Sequence, residues 1–455
     1  MALMSLQDAA FLLPETRDQP MHVGGLQLFQ RPEGADRDFL EHVYAEMLAV
    51  EEVSPLFRRR AHRGLATLGQ WAWENDDDLD LEHHVRHSAL PRPGRIRELL
   101  ALVSRLHSSL LDRQRPLWEL HLIEGLEDGR FAVYSKLHHA VMDGVSGLRL
   151  MQSSLSTDPD DRSLCAPYLP RESRSGHAGG GFSPAALAGL AKEAVTEAVA
   201  LGPLVWRAAE RLVREQAAAL PSPAPRTMLN GPITGSRRFA AQSWQLERLH
   251  AVRKAAGVTL NDVVLAMCSG ALRTYLAEQD ELPDASLVAM VPVHLASIGK
   301  GTSAGNNVGA ILASLGTDEA DPARRLETIV ASMQDGKDLL AGLSRMQAIA
   351  MSAVSMAPLA MSSFSGVTRM LPPPFNLVIS NVPGPKEPLW MQGARLDAFY
   401  PLSIPTVGQA LNITVTSYVD NMEFGLTGCR RHVPHLQRLL THLDTSLEEL
   451  ERAVG

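Results

Sequence analysis

The sequence predicts an α/β protein built from two domains. The chain has 455 residues, which is more than one ordinary hydrophobic core accommodates. In both halves, segments with the two-residue periodicity of strands alternate with segments that have the apolar spacing of helices. Between the halves lies a stretch rich in proline, glycine and serine, which is typical of a linker.

The composition restricts the class of protein and of partner. Hydrophobic residues make up 45% of the chain and charged residues 21%, as in ordinary globular proteins, and the net charge of -8 argues against nucleic acid as a partner. Three widely separated cysteines without a CxxC pair indicate a reducing compartment. The N-terminus lacks the basic start of a signal peptide, and no apolar run reaches the ~18 residues of a membrane span.

The N-terminal half is predicted to contain a β-hairpin that leads into a helix. The segments MHVGGLQLF at 21–29, LWELHLIEGL at 117–126 and RFAVYSKLH at 130–138 have strand patterns. The last two are joined by Asp128-Gly129, a dipeptide typical of hairpin turns. Apolar residues then recur near helical spacing over 144–155. The intervening segment, KLHHAVMDGVSG, is therefore expected to end a strand and begin a helix.

A linker and a second set of elements follow. Residues 157–184 are rich in proline, glycine, serine and charge, an alanine-rich helix is expected over 185–216, and new strands begin near Arg237. Further strands are predicted at 286–295, 375–385 and 409–418, separated by helices such as the one at 261–278. We accordingly predict the following division: an N-terminal domain at 1–156, a linker or crossover with a helix at 157–235, and a C-terminal domain at 236–455.

The segment KLHHAVMDGVSG has the residues of a proton-transfer site. A histidine with a pKa near neutrality can remove a proton from an alcohol and later return it to a leaving group, and one such residue suffices. The other residues are then supports. Asp143 lies one helical turn from His139 and can hold the local geometry by a charge-assisted contact. Gly144 would permit a backbone turn that a Cβ atom resists.

Competing interpretations of the motif remain open at this level. Adjacent strand residues point to opposite faces, so a buried structural His138 is favoured over two functional histidines. A zinc site made of His138, His139 and Asp143 would require a sharply bent backbone, so no metal is expected. The chain contains no GxSxG, Walker A or GxGxxG motif, which disfavours a serine nucleophile, nucleotide hydrolysis and hydride transfer. Direct transfer without a covalent enzyme intermediate is the simpler mechanism.

The arrangement HHxxxDG resembles that of the CoA-dependent acyltransferase superfamily, which includes chloramphenicol acetyltransferase and peptide-synthetase condensation domains. Other segments, between about residues 5 and 430, are similar to the bacterial bifunctional wax ester synthase/diacylglycerol acyltransferase family. They are PMHVGGLQLF at 20–29, HVRHSALPRPG at 84–94, RPLWELHLIEGL at 115–126, NDVVLA at 261–266 and ISNVPGP at 379–385.

The resemblance implies two chloramphenicol-acetyltransferase-like domains, each a mixed sheet with helices, and an active-site tunnel at their interface. It also implies transfer of a long-chain fatty acyl group from acyl-CoA to a long-chain fatty alcohol or to diacylglycerol. Acyl-CoA is then a substrate, and no cofactor is expected. By the family pattern His139 is the general base, with His138, Asp143 and Gly144 in supporting roles. In the superfamily the aspartate usually pairs with an arginine, which this sequence does not identify.

Four further residues are candidates for the active-site wall or the oxyanion donors. The resemblance puts Asn261 and Asp262 near the catalytic centre, although either residue could simply cap the helix that follows. Ser380 and Asn381 end a strand before the rigid Pro-Gly-Pro turn at 383–385, which is either a turn alone or part of the wall.

Two other segments are candidates for contact with lipid. The apolar stretch at 344–366 is predicted to form a substrate channel or an ordinary core helix, and it carries four evenly spaced methionines, Met346, Met351, Met356 and Met361. The helix at 185–216 mixes apolar residues, Trp206 and basic residues, which suits either a membrane surface or a packed helix.

We therefore expect an O-acyltransferase for wax ester and triacylglycerol synthesis. The alternatives are a condensation-type acyltransferase with a carrier-protein-bound donor and a non-catalytic lipid-binding protein, the latter disfavoured by the intact motif. Because the acceptors are insoluble in water, we expect a cytoplasmic protein in peripheral contact with the inner face of a membrane or with lipid inclusions.

Overall fold

The computed structural model describes residues 2–64, 67, 69–170, 224–294, 308–342 and 372–455. The predicted helix at 185–216 and the apolar stretch around 344–366 lie outside these residues.

The described residues form the following strands: β1 Ala2–Leu3, β2 His22–Gln30, β3 Arg59–Arg63, β4 Trp71–Asn75, β5 Val85–Ala89, β6 Trp118–Glu124, β7 Phe131–His138, β8 Arg237–Gln245, β9 Val288–His294, β10 Val308–Ser314, β11 Leu377–Val382, β12 Trp390–Met391, β13 Ala394–Leu402, β14 Leu411–Tyr418 and β15 Asn421–Cys429.

Helices of various lengths lie between the strands. In the described part of the chain they are α1 Leu6–Leu12, α2 Phe39–Leu48, α3 Leu81–His84, α4 Ile96–Ser108, α5 Gly144–Ser153, α6 Leu246–Ala256, α7 Leu260–Ala277, α8 Pro322–Gly342 and α9 Arg438–Val454. Two short 3₁₀ turns occur at Pro55–Arg58 and Met228–Asn230. The predicted α/β class is confirmed.

The first large sheet has the order β12-β13-β2-β7-β6-β5. Its β6 and β7 form the predicted antiparallel hairpin, in which Trp118 pairs with Leu137, and Gly129 in the connecting turn has a φ of +82°. Strand β5 runs parallel to β6, whereas the other neighbours are antiparallel. The sheet is therefore mixed, and β7 carries the histidine motif at its C-terminal end.

The second large sheet has the order β10-β9-β11-β14-β15-β8. Strand β11 runs parallel to both of its neighbours, β9 and β14, and the remaining pairs are antiparallel. The predicted strands at 286–295, 375–385 and 409–418 are confirmed as β9, β11 and β14. A small third sheet, with the order β1-β4-β3, completes the described strands.

The chain crosses between the two large sheets. Strands β12 and β13 belong to the C-terminal half of the sequence but extend the first sheet, where Tyr400 pairs with Leu26 and Leu402 with Gly24. The predicted division at 1–156, 157–235 and 236–455 did not anticipate this return. Residue patterns indicate that a strand exists, but the sheet to which the strand adds depends on long-range packing.

The longest buried helix, α7, begins with a local capping box. Thr259 accepts a hydrogen bond from the Asp262 N–H, and the Asp262 carboxylate accepts hydrogen bonds from the Thr259 N–H and hydroxyl. Such reciprocal bonds satisfy donors that the first turn of a helix leaves unpaired. The helix then packs in the core of the second sheet, where nearly all of its residues from Asp262 to Leu272 are buried.

Within the described residues, no single helix has the length and apolarity needed to cross a membrane. The bent pair α6 and α7, with an angle of 103° between the helices, meets the requirement jointly, by length and composition alone.

The two large sheets approach each other closely where β13 crosses β15. A methyl group added at Gly425 would overlap the carbonyl oxygen of Pro401, which is a backbone atom and cannot move aside cheaply. Nearby, the Ser243 hydroxyl lies 2.9 Å from the Tyr400 hydroxyl and also donates to Glu423. This junction therefore fixes the distance between the sheets.

We expect Gly425→Ala to lower the free energy of unfolding by about 1–3 kcal/mol, the usual cost of overpacking. Denaturant unfolding of the purified protein measures the change. Gly342→Ala is the matched control, because an added methyl group there has no atom of the described residues within 4 Å; we expect a change within about 0.5 kcal/mol. Equal stability of the two variants would contradict close contact between the sheets.

Candidate active site

A cavity of about 720 Å³ lies between the two halves of the molecule, and both halves line it. The first half contributes residues of α1 and β2, the loop after β7 and the start of α5. The second half contributes residues of β9, β11 and β14 and the segment at the end of β13. A separate cavity of about 780 Å³, at the C-terminal end of α5, contains none of the predicted site residues that the structure describes.

His139 lines the cavity, directly after the last residue of β7. Its backbone N–H donates to the Met21 carbonyl at 2.9 Å, and its ring stacks on Phe11 with 4.0 Å between centroids. Neither ring nitrogen hydrogen-bonds to another described side chain, and Nδ1 is buried. Burial lowers the pKa of His139 to about 4, although the Asp143 carboxylate and its own backbone oppose the shift. The imidazole is therefore neutral near pH 7 and able to accept a proton.

His138 has a different environment, although it is the adjacent residue. It is the last residue of β7 and is fully buried. Its Nδ1 accepts a hydrogen bond from the Ala140 N–H at 3.0 Å, and its Nε2 lies 3.2 Å from Glu15 Oε1. Both ring nitrogens thus face protein groups, which leaves His138 no free position for a substrate.

Glu15 connects the surroundings of both histidines, and the sequence analysis missed it. Its Oε1 accepts a hydrogen bond from the Met21 N–H at 3.0 Å, while the Met21 carbonyl accepts the His139 N–H. Its Oε2 pairs with Arg113 at 2.9 Å, and Arg113 also donates to the Leu12 carbonyl. Burial opposes ionisation of Glu15, but His138, the Met21 N–H and Arg113 outweigh it and lower the pKa of the carboxyl. Glu15 and Arg113 are 98 positions apart, so no local pattern links them.

Asp143 is the N-cap of α5. One carboxylate oxygen accepts the Ser146 N–H at 2.9 Å and the other accepts the Ser146 hydroxyl at 2.8 Å. Within the described part of the chain, no arginine pairs with Asp143. Through these two bonds the carboxylate supports the start of the helix after the motif.

The conformational role expected of Gly144 was wrong. Gly144 does not have a positive φ, and an added Cβ atom would meet only Val23 Cγ1 at an ordinary 3.8 Å. A residue with a Cβ atom could therefore adopt this backbone. Gly144 lines the cavity as the first residue of α5, so its missing side chain leaves space beside His139.

The four wall candidates divide between two environments. Ser380 lines the cavity, whereas Asn381, the next residue of β11, contacts Asn261 through an Nδ2 to Oδ1 bond of 3.4 Å. Neither asparagine lines the cavity, and Asp262 is engaged in the capping box of α7. Alternation along β11 explains the division, because adjacent strand residues face opposite sides.

Other polar residues of the second half line the cavity and were not predicted. Gln409, Asn412 and Thr414 lie in or just before β14, next to Ser380 of β11, which pairs with Thr414. Their signal was available in QALNITVTSY, where polar residues at 412, 414 and 416 alternate with apolar ones. The channel candidates Met346, Met351, Met356 and Met361 lie outside the described residues.

Side chains suited to holding a metal ion are dispersed in the described residues: no group of three or more histidine, cysteine, aspartate or glutamate residues is placed for it. The three cysteines are all buried and form no disulfide. The chemistry that the described cavity can perform is therefore proton transfer by His139 next to a large space.

Comparison with known families agrees with this geometry. The model of the wax ester synthase/diacylglycerol acyltransferase (WS/DGAT) catalytic domain matches residues 4–264, and that of the WS/DGAT C-terminal domain matches residues 304–451. The chain belongs to the WS/DGAT family. The family membership predicted from the sequence is confirmed, and the protein is an acyltransferase.

Relatives and solved structures extend the comparison. A Mycobacterium tuberculosis protein provisionally named a diacylglycerol O-acyltransferase is 52% identical over 464 residues, covering 99% of this chain and 100% of the relative. The structure of the wax ester synthase/diacylglycerol acyltransferase from Marinobacter aquaeolei VT8 matches with a TM-score of 0.81 and 43% identity over the whole of both chains.

More distant solved structures, from outside the WS/DGAT family, share only the fold with this chain. The first condensation domain of the CDA synthetase matches with a TM-score of 0.58 and 16% identity, covering 100% of this chain and 96% of the domain. Together with the Marinobacter structure, this match confirms the predicted architecture of two acyltransferase-like domains.

We expect Glu15→Gln to lower the free energy of unfolding by about 1–3 kcal/mol at pH 7, because the amide leaves the Arg113 and His138 contacts without their negative charge. The pKa of the Glu15 carboxyl is lower in the folded state than its usual value of 4.5. The ionised carboxylate therefore stabilises the fold above pH 4.5, and this stabilisation is lost as the pH falls through the folded-state pKa. Denaturant unfolding at pH 7 and at pH 4 measures both effects.

Glu74→Gln is the control for the Glu15 variant. Glu74 pairs with Arg60 at 2.9 Å, but both side chains are partly exposed, so the pair contributes at most about 1 kcal/mol. An equal loss of unfolding free energy in the two variants at pH 7 would contradict the conclusion that the buried Glu15 contacts stabilise the fold more than an exposed ion pair does.

Proposed function

We propose that the protein transfers a long-chain fatty acyl group from acyl-CoA to diacylglycerol and to long-chain fatty alcohols. The observation that carries the proposal is His139, a neutral histidine without a side-chain partner in the described residues, next to a cavity between two acyltransferase domains. The names of the relatives supply the substrate classes: diacylglycerol O-acyltransferase for the mycobacterial protein, and wax ester synthase as well for the Marinobacter structure.

In the proposed reaction His139 acts as a general base and then as a general acid. Nδ1 is buried, so Nε2 takes the proton of the acceptor hydroxyl while the alkoxide oxygen attacks the thioester carbonyl. The tetrahedral intermediate collapses with cleavage of the carbon–sulfur bond, and the imidazolium returns its proton to the CoA thiolate. The ester and free CoA are the products. Positioned proton transfer of this kind contributes about 10²- to 10⁴-fold to the rate.

The lining of the cavity supports a hydrocarbon substrate on the side of the first half. Phe11, Met21, Val23, Leu148 and Met151 all line it, and apolar side chains of this kind suit an acyl chain. Phe11 also covers one face of the His139 ring. The acyl chain and the base would therefore share one wall.

We also propose peripheral contact with a lipid surface, because both acceptors are insoluble in water. Leu3 and Leu13, at the two ends of the α1 region, are 66% and 68% exposed, and Phe11 of the same helix lines the cavity. Exposed leucines on either side of a helix that lines the cavity suit insertion into the boundary of a membrane or a lipid inclusion.

The test of the proposed function uses purified protein with palmitoyl-CoA and either hexadecanol or dioleoylglycerol. CoA release and the ester products are measured together. We expect both esters from the wild type and a loss of about 10²- to 10⁴-fold in kcat for His139→Ala, with thermal stability little changed. Turnover retained in His139→Ala would refute the general-base assignment. Activity only with a carrier-protein-bound donor would refute free acyl-CoA as the substrate.

His138→Ala is the matched variant, because it truncates the adjacent histidine. We expect it to lower the melting temperature, since it removes a buried ring and leaves Glu15 without one of its contacts. The comparison therefore separates a base from a buried structural residue.

The pH dependence of kcat/KM offers an independent measurement. Histidine acts as a base only in its neutral form. With a pKa of about 4, His139 is about 97% neutral at pH 5.5. An exposed histidine with a pKa of about 6.5 would be only about 9% neutral at that pH. We expect kcat/KM to be nearly constant between pH 5.5 and 8 under conditions where the fold is intact. A tenfold decrease at pH 5.5, with unchanged circular dichroism, would contradict a neutral buried base.

A further inference from the structure

The wall that the second half contributes to the cavity contains two buried carboxamides with the same arrangement. Gln409 is 2% exposed and its Oε1 accepts the Thr406 hydroxyl at 2.9 Å. Asn412 is 4% exposed and its Oδ1 accepts the Thr414 hydroxyl at 2.8 Å. All four residues line the cavity. In both cases the amide oxygen is the end that faces the threonine hydroxyl, and the hydroxyl donates to it.

This arrangement leaves the amide N–H groups as donors. Among the described residues, neither Gln409 Nε2 nor Asn412 Nδ2 has a hydrogen-bond partner, and Gln409 Nε2 is fully buried. Buried donors are normally paired in native proteins, so an unpaired one requires an explanation. A ligand with acceptor oxygens would explain these donors, because it would accept their hydrogen bonds when it occupies the cavity.

The two amides belong to the same cavity as the base. Gln19 Oε1 accepts the N–H of Val407, which lies next to Thr406, and two residues after Gln19 the Met21 carbonyl accepts the His139 N–H. A single short segment before β2 therefore contacts both the amide wall and the histidine loop. His139 and both amides therefore line one continuous cavity.

The chemistry of the wall favours neutral carbonyl oxygens. Among the described residues that line the cavity there is no lysine or arginine, whereas Asp8 and Asp143 are present, so an anionic phosphate or carboxylate would be poorly compensated. Gln409 precedes β14 and Asn412 lies within it, so the two amides occupy separate points of the cavity wall. Two separated donors suit two separated acceptors better than a single oxyanion.

We propose that Gln409 and Asn412 bind the ester carbonyl groups of the diacylglycerol acceptor and thereby determine acceptor specificity. Diacylglycerol has two ester carbonyls and one free hydroxyl, whereas a long-chain alcohol has only the hydroxyl. The amides then assist transfer to diacylglycerol and are not needed for transfer to an alcohol. The proposal rests on the proposed function, and it adds the residues that distinguish the two acceptors.

The test measures kcat/KM for dioleoylglycerol and for hexadecanol, with palmitoyl-CoA as the common donor. Gln409→Glu and Asn412→Asp keep an acceptor for the threonine hydroxyls but remove the N–H donors, and Gln409→Leu and Asn412→Leu remove both. In each variant we expect the ratio of dioleoylglycerol to hexadecanol activity to fall roughly tenfold, the effect of losing one hydrogen bond to a buried partner. Activity with hexadecanol should fall less than activity with dioleoylglycerol, because the alcohol has no ester carbonyl for the amides to bind.

The control is Gln245→Leu, which removes a carboxamide of the same sheet that is exposed and outside the cavity. Its activity ratio should not change. Thermal unfolding shows which variants keep the fold, and the leucine variants, which bury no charge, cover the case in which a carboxylate variant fails to fold.

Three outcomes would overturn the proposal. An unchanged ratio in all folded variants would show that the amides do not contact the acceptor esters. An equal fall in kcat with both acceptors would indicate a role in the reaction common to both. A larger loss with hexadecanol would reverse the assignment. Failure of the proposed function is recognised separately, because the wild type would then transfer palmitate to neither acceptor.

Discussion

The pairing of β13 with β2 is the constraint on which the rest of the structure depends. It carries a strand of the C-terminal half into the first sheet, and the end of that strand, Pro401 and Leu402, then lines the cavity. Beside it, the hydroxyls of Tyr400 and Ser243 connect the sheets. Burial raises the pKa of the neighbouring Glu423 to about 8, so this carboxyl is protonated at neutral pH. The junction is therefore buried without an unpaired charge. The cavity lies between two sheets that meet where β13 of the first sheet contacts β15 and β8 of the second.

The two adjacent histidines show how environment separates identical side chains. The end of β7 turns the ring of His138 towards Glu15 and that of His139 towards the cavity. His138, the Met21 N–H and Arg113 together lower the pKa of the Glu15 carboxyl despite its burial, and the same Met21 residue holds the backbone of His139. One ion pair thus supports the segment that presents His139, while burial of the His139 ring lowers its pKa and keeps the imidazole neutral.

The opposite walls of the cavity have different chemistry, which follows from their origin. The first half contributes Phe11, the histidine loop and mainly apolar residues, whereas the second contributes most of the hydroxyl and amide side chains together with apolar ones such as Val378 and Leu402. Direct transfer requires donor and acceptor in one space, and an interface between two domains can supply unlike surfaces to each. In the proposed reaction the apolar wall holds the acyl chain and the amide wall holds the acceptor esters.

Local patterns in the sequence determined the hairpin of β6 and β7, the helix after the motif, the strand β14 and the HHxxxDG arrangement, because turn chemistry and periodicity act over a few residues. Together with segments such as PMHVGGLQLF they also indicated the family. Tertiary structure alone decided that Glu15 and Arg113 meet across 98 positions, that β13 joins the first sheet, and that Ser380 faces the cavity while Asn381 faces Asn261. Those outcomes depend on strand register and on the packing of distant segments, and a shift of one residue in register would reverse which side chains reach the cavity.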